Sequence, residues 1–148
     1  MTRLRPSLAL FVMVPLLAAW RMHPIHAARV ELDAAADGSV NAIVHVYRDD
    51  FPGQVTLASI GGYLDKALVV TDARGTRLIL RPTALQPEGD RLKILLTGSV
   101  SGGIAHGRIA LTLLQEKFAD QVNVVDARVQ GRRAQLVFLR GDASQALP

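Results

Sequence analysis

The residues best suited to chemistry in this chain are His23 and His26, which frame the four-residue stretch His-Pro-Ile-His. Imidazole nitrogen is a common ligand of copper, nickel and zinc. A metal site needs three or four ligands, so His45 or His106 would have to approach for this segment to hold an ion. The alternative is structural, with His26 at the rim of the core and His23 in a terminal segment.

Two groups of short polar residues are the next candidates. Asp49 and Asp50 are adjacent, and adjacent side chains on an extended chain point to opposite faces, so we interpret the pair as the cap of a helix. Asp120, Gln121 and Asn123 form the densest polar group beside apolar residues. Side chains of this kind bond the main chain where one strand ends and the next begins. Contact with a ligand is the alternative interpretation.

No motif of a known catalytic class occurs in the sequence. The nucleophile elbow, the zinc-protease helix motif, the phosphate-binding loop and the dinucleotide-binding glycine pattern are all absent. The chain has no cysteine, which excludes thiol catalysis, thiolate metal sites and disulfides. We therefore predict that the chain is not an enzyme. A hydrolase that assembles serine, histidine and carboxylate from separate loops is a third hypothesis.

The first residues have the layout of a secretory signal peptide. Two arginines within the first five residues precede an apolar run at 6–20, which is shorter than the roughly 20 residues that a helix needs to cross a membrane. We expect cleavage after residue 18 or 19, so that residues 1–19 are the signal and 20–148 form one domain. Cleavage after residue 27 or 28 is the alternative, and it would remove both histidines.

Export defines the compartment and the kind of partner. We expect a periplasmic or secreted protein with no membrane span after signal cleavage and with an unknown periplasmic protein as its partner. The formal net charge is +4, but Lys and Arg are scattered and aromatic residues are only 5%. Nucleic-acid binding would need basic residues clustered with aromatic ones on one face, so we exclude it.

The elements that must position these residues are strands. Short β-rich runs alternate with Gly, Asp and Pro turns, which predicts an all-β fold, a two-sheet antiparallel sandwich of immunoglobulin-like type with about eight strands. One short helix should follow the second strand and end at Gly61 and Gly62. The strand at 76–85 should lie at an edge, Gly131 should adopt positive φ in a tight turn, and 140–148 should be a frayed tail.

Alternation assigns faces to the first two strands. His26 shares parity with Ala28, Val30 and Leu32, which places it on the inward face of the first strand. His45 alternates with buried-type valines and should therefore lie on the outer or half-covered face.

Three motifs occur in a fixed order along the chain: HPIH at 23–26, VYRDDF at 46–51 and FADQVNVV at 118–125. This order resembles a family of uncharacterised exported bacterial proteins with a His-Pro-x-His opening and a Phe-x-Asp-Gln-x-Asn-Val-Val box. The opening and strand pattern are also similar to the exported N-terminal domain of membrane proteins of the hydrogenase and urease accessory (nickel permease) type. The resemblance implies a standalone periplasmic β domain. It marks family-pattern positions without assigning roles to them, namely His23, Pro24, His26, Asp49, Asp50, Asp120, Gln121 and Asn123.

Two functions follow as the leading hypotheses. The first is a non-catalytic binding or assembly module, which needs no cofactor. The second is a metal-handling protein that binds a divalent metal or copper through His23 and His26.

Overall fold

The computed structural model describes residues 26–51 and 54–148. This part of the chain folds into two β-sheets and one α-helix, with a short 3-10 turn after the second strand. The helix is α1 (Leu57–Ala67) and the turn spans Arg48–Asp50. The strands are β1 (Ala27–Ala34), β2 (Ser39–Tyr47), β3 (Leu68–Thr71), β4 (Arg77–Leu78), β5 (Arg81–Glu88), β6 (Arg91–Ser99), β7 (Arg108–Leu111), β8 (Val122–Val129), β9 (Arg132–Phe138) and β10 (Gln145–Ala146).

The strands form a six-stranded sheet in the order β5-β6-β2-β1-β8-β9 and a four-stranded sheet in the order β10-β7-β3-β4. The predicted all-β, two-sheet sandwich with one short helix is confirmed. Neighbouring strands are antiparallel with one exception: β1 and β8 run parallel. Two of the strands have only two residues, which is why the described strands outnumber the predicted eight.

The predicted alternation in β1 and β2 is confirmed. Val30 and Val44 are register partners and are both fully buried, while Arg29 on the same strand as Val30 is exposed. Side chains of successive strand residues point to opposite faces of a sheet. One face of the six-stranded sheet therefore packs in the core with α1 and the smaller sheet, and its other face meets solvent.

The prediction for the helix was wrong at both ends. Its N-cap is Thr56, whose hydroxyl accepts a hydrogen bond from the backbone N–H of Ser59 in a capping box. The helix then continues through Gly61 and ends at Ala67. A Cβ atom at Gly61 would lie 3.1 Å from Cγ of Pro82, so the glycine permits close packing against β5. Burial of Ile60 on the same helix helps to offset the roughly 1 kcal/mol that a helical glycine costs.

The strand expected at 76–85 is two strands in two sheets. Arg77–Leu78 forms an edge of the smaller sheet, and Arg81–Glu88 forms an edge of the larger one. The predicted edge position is therefore confirmed for both pieces, although the continuous strand is not.

The C-terminal segment is ordered structure and not the frayed tail that its composition predicts. Gln145–Ala146 pairs with β7, and Leu147 is buried. The Arg108 side chain also donates hydrogen bonds to Ser144. Strand pairing, these hydrogen bonds and the buried Leu147 together dock the segment against the smaller sheet. The polar residues before Leu147 do not indicate this in the sequence.

The last hairpin has the predicted glycine turn. Val129 pairs with Arg132, and the two residues between them, Gln130 and Gly131, have φ of 49° and 84°. No helix in the described part of the chain is long and apolar enough to cross a membrane. The predicted signal peptide at 1–19 lies outside the described residues.

Candidate functional site

Three segments that are far apart in sequence meet at one end of the six-stranded sheet. His26 directly precedes β1, Asp50 lies in the 3-10 turn after β2, and the loop at 112–121 leads into β8. The parallel pairing of β1 with β8 brings the first and third together, and the backbone N–H of Val122 donates to the carbonyl of His26 at 2.9 Å. We call His26, Asp50, Lys117, Phe118 and Asp120 the histidine end.

The imidazole of His26 is held from two sides. Its Nδ1 lies 3.0 Å from Oδ1 of Asp120, and its ring stacks on Phe118 with centroids 3.6 Å apart and planes 7° from parallel. The His26 side chain is 21% exposed, so one part of the ring is still accessible. When Nδ1 donates to the carboxylate, Nε2 is the nitrogen that remains for another partner.

Asp50 places a carboxylate in a poorly hydrated position at the same end. Its Oδ2 atom is buried and has no hydrogen-bond partner among the residues that the structure describes. Burial raises the pKa of Asp50 above its ordinary value, and electrostatic interactions with His26 and Lys117 oppose that effect. Lys117 also donates a hydrogen bond to the main-chain oxygen of Asp50 and lies 5.0 Å from the centroid of the Phe118 ring.

Two buried amides hold the loop that carries Phe118 and Asp120. Gln121 donates from Nε2 to Oδ1 of Asn123 at 2.9 Å, and Asn123 donates from Nδ2 to the carbonyl of Leu113 at 2.9 Å. Both amide side chains are almost completely buried, at 1% and 0% exposure. They therefore act on the site by positioning its loop, which is the structural role that the sequence predicts for them.

The remaining predicted residues lie elsewhere. His23 and Pro24 are outside the described residues. Asp49 is exposed, and the turn that it shares with Asp50 has no side-chain cap, so the expected helix-capping role was wrong.

The other two histidines do not complete a metal site. His45 is on the outer face of the sheet, as predicted, with Nε2 3.1 Å from Oε1 of Glu31. His106 is exposed in the loop before β7. Within 26–51 and 54–148, no group of three or more histidines and carboxylates could hold a metal ion.

No protein-family model, no curated protein and no solved structure matches this chain. The resemblance noted in the sequence stays a hypothesis, as does the immunoglobulin-like type of the sandwich. The geometry of the histidine end is therefore the feature of the molecule from which a function can be proposed.

Sequence reasoning named His26, Asp50 and Asp120 but not the groups that surround them. Lys117 was not named as a candidate site residue, and Phe118 was mentioned only as the first residue of the FADQVNVV motif. Their position could have indicated a role, because both residues lie just before Asp120 in the loop that leads into β8. Together these side chains present an oriented imidazole, two carboxylates, an ammonium group and an aromatic ring, a set suited to recognising a polar group on a partner.

Proposed function

We propose that the chain is a non-catalytic binding or assembly module of the periplasm, and that it meets its partner protein at the histidine end. The observation that carries this proposal is the imidazole of His26, clamped between Asp120 and Phe118 beside the half-buried carboxylate of Asp50. A carboxylate oxygen that is buried without a hydrogen bond costs free energy in the isolated protein. A partner would instead meet the accessible groups beside it, the 21% exposed ring of His26 and the 53% exposed carboxylate of Asp120, which can form charge-assisted hydrogen bonds.

The partially exposed ring of His26 supports the same interpretation. Preorganised groups bind more tightly because less side-chain freedom is lost on association. The stack on Phe118 and the hydrogen bond to Asp120 restrict the imidazole before any partner arrives.

A matched pair of histidines allows a sharp test. The chain from residue 20 would be used as bait in periplasmic extract, with His26→Ala and His45→Ala as variants. Both histidines are partly buried and each bonds one carboxylate, at 3.0 Å and 3.1 Å, but only His26 is at the proposed surface. We expect a specifically retained protein to be lost with His26→Ala and kept with His45→Ala. Equal retention or equal loss in the two variants would contradict the proposal.

A metal-handling protein is the second candidate, and one observation favours it. A histidine that binds a metal through one ring nitrogen commonly donates a hydrogen bond from the other ring N–H to a carboxylate. Asp120 is such a carboxylate, with Oδ1 3.0 Å from Nδ1 of His26. Nε2 of His26 and a nitrogen of His23 would be the protein ligands. Calorimetric titration of the chain from residue 20 with copper, nickel and zinc tests this candidate. Affinity that is only millimolar, or that persists in the His23→Ala, His26→Ala double variant, would exclude it.

Both candidates depend on export and on a mature chain that keeps its histidines. Mass spectrometry of the protein recovered from the periplasm would give the mature N-terminus. A terminus at residue 19 or 20 is expected, and a terminus at 28 or 29 would remove His26 from the binding surface.

A further inference from the structure

The solvent face of the six-stranded sheet contains a groove. None of the five residues of the histidine end lines it. The groove has a volume of about 710 Å³ and is lined by outward-facing side chains of β1, β2, β8 and β9. Sites for small molecules commonly have volumes of about 300–1,000 Å³. The groove is therefore large enough to take a small ligand.

The register of the strands places two arginines directly opposite each other in this groove. Arg128 on β8 pairs with Arg133 on β9, and Asp33 on β1 is the partner of Arg128 on its other side. Like charges directly opposite each other on adjacent strands are destabilising. Asp33 forms an ion pair with Arg128 and so neutralises one of the two guanidinium groups.

The other charged groups of the groove are already paired. Glu31 and Asp126 also stand opposite each other, but Glu31 bonds His45 and Asp126 bonds Arg29 at 2.6 Å. Among the described residues, three arginines line the groove: Arg29 and Arg128 each form an ion pair with an aspartate, and Arg133 forms none. The groove therefore has one arginine without an acidic partner, located at the β9 side.

We propose that this end of the groove binds the oxyanion of a small polar ligand, a carboxylate or a phosphate group. The planar guanidinium of arginine donates two parallel hydrogen bonds to either group. The amide of Asn41 lines the same groove and can hydrogen-bond other polar atoms of the ligand. This site is independent of the proposed partner surface at the histidine end.

The test uses the chain from residue 20 and two simple probes, inorganic phosphate and succinate, with binding followed by NMR and calorimetry. We expect resonances of Arg133 and Arg128 to shift on titration, with Arg133→Gln weakening binding at least about tenfold. Arg132→Gln is the matched control, because Arg132 is adjacent and exposed but pairs with Val129 and does not line the groove. The stronger probe identifies the class of oxyanion.

Two results would overturn the proposal. One is that neither anion shifts the resonances of Arg133. The other is that Arg132→Gln weakens binding as much as Arg133→Gln does, which would mean that only the net charge of the protein matters. Thermal unfolding of both variants checks that each is folded, and both substitutions are at exposed positions where folding should be unaffected.

Discussion

Nδ1 of His26 and Oδ1 of Asp120 lie 3.0 Å apart although 94 positions separate the two residues in the chain. The contact exists because β1 and β8 run parallel, so the residues that precede the two strands emerge at the same end of the sheet. No local motif links them. A site of this kind depends on the loop that holds Asp120, and hence on the amides that anchor the loop.

The first prediction concerns that anchor. Asn123→Ala should lower the free energy of unfolding by about 2–3 kcal/mol, because it leaves the carbonyl of Leu113 and the amide of Gln121 buried with one partner fewer. Denaturant unfolding measures the change. Asn41→Ala on the exposed outer face is the control and should change stability by less than about 0.5 kcal/mol. Similar losses in the two variants would show that the buried network adds little.

The second prediction concerns the charge of Asp50. Burial raises its pKa in the folded state above the ordinary 3.8, so the ionised carboxylate costs stability above the folded pKa, and the cost disappears below 3.8. Asp50→Asn should therefore stabilise the protein at neutral pH. The gain should be below about 1 kcal/mol because the group is partly solvated.

The gain from Asp50→Asn should shrink as the pH falls through the raised pKa, because the wild-type carboxyl then becomes protonated. Denaturant unfolding at neutral and acidic pH follows this trend. The neighbouring Asp49→Asn, at an exposed position, is the matched control. An equal gain from Asp49→Asn, or a gain from Asp50→Asn that does not change with pH, would be inconsistent with a buried charge.

The third prediction concerns Asp72, whose pKa is shifted in the opposite direction to that of Asp50. Burial alone would raise its pKa, but hydrogen bonds from Thr76 and Arg74 outweigh that effect and lower it below 3.8. Its stabilising contribution is present above 3.8 and is lost as the pH falls through the lowered pKa. In acid titrations monitored by circular dichroism, Asp72→Asn should lose less stability than wild type below pH 3.8. Asp90→Asn in an exposed turn should follow wild type.

The fourth prediction concerns the C-terminal strand. Leu147→Ala should lower the free energy of unfolding by about 2–4 kcal/mol, since the side chain is 3% exposed and its removal leaves a cavity against the smaller sheet. Leu139→Ala removes the same atoms at a position that is 51% exposed and should cost less than about 0.5 kcal/mol. Thermal and denaturant unfolding compare the two. A loss below about 1 kcal/mol for Leu147→Ala would support the frayed tail instead.

The sequence by itself determined the fold class and the faces of the strands. Burial in β1 alternates at Val30 and Leu32 because side chains of a strand alternate with a period of two. The turn at Gly131 is also determined by local sequence, since glycine tolerates positive φ. The sequence also singled out three residues of the site, each for a different reason: His26 as a possible metal ligand, Asp50 as a helix cap, and Asp120 as part of a polar group beside apolar residues.

Only the tertiary structure decided which of these residues meet. The parallel β1–β8 pairing brings His26 to Asp120, and α1 continues through Gly61, where the missing side chain permits close packing against Pro82. Burial of Leu147 likewise turns a polar tail into a strand. Local patterns depend on neighbours along the chain, whereas strand pairing and docking depend on apolar surface that is distant in sequence. The geometry of the site therefore depends on strand pairing and docking, and not on local sequence patterns.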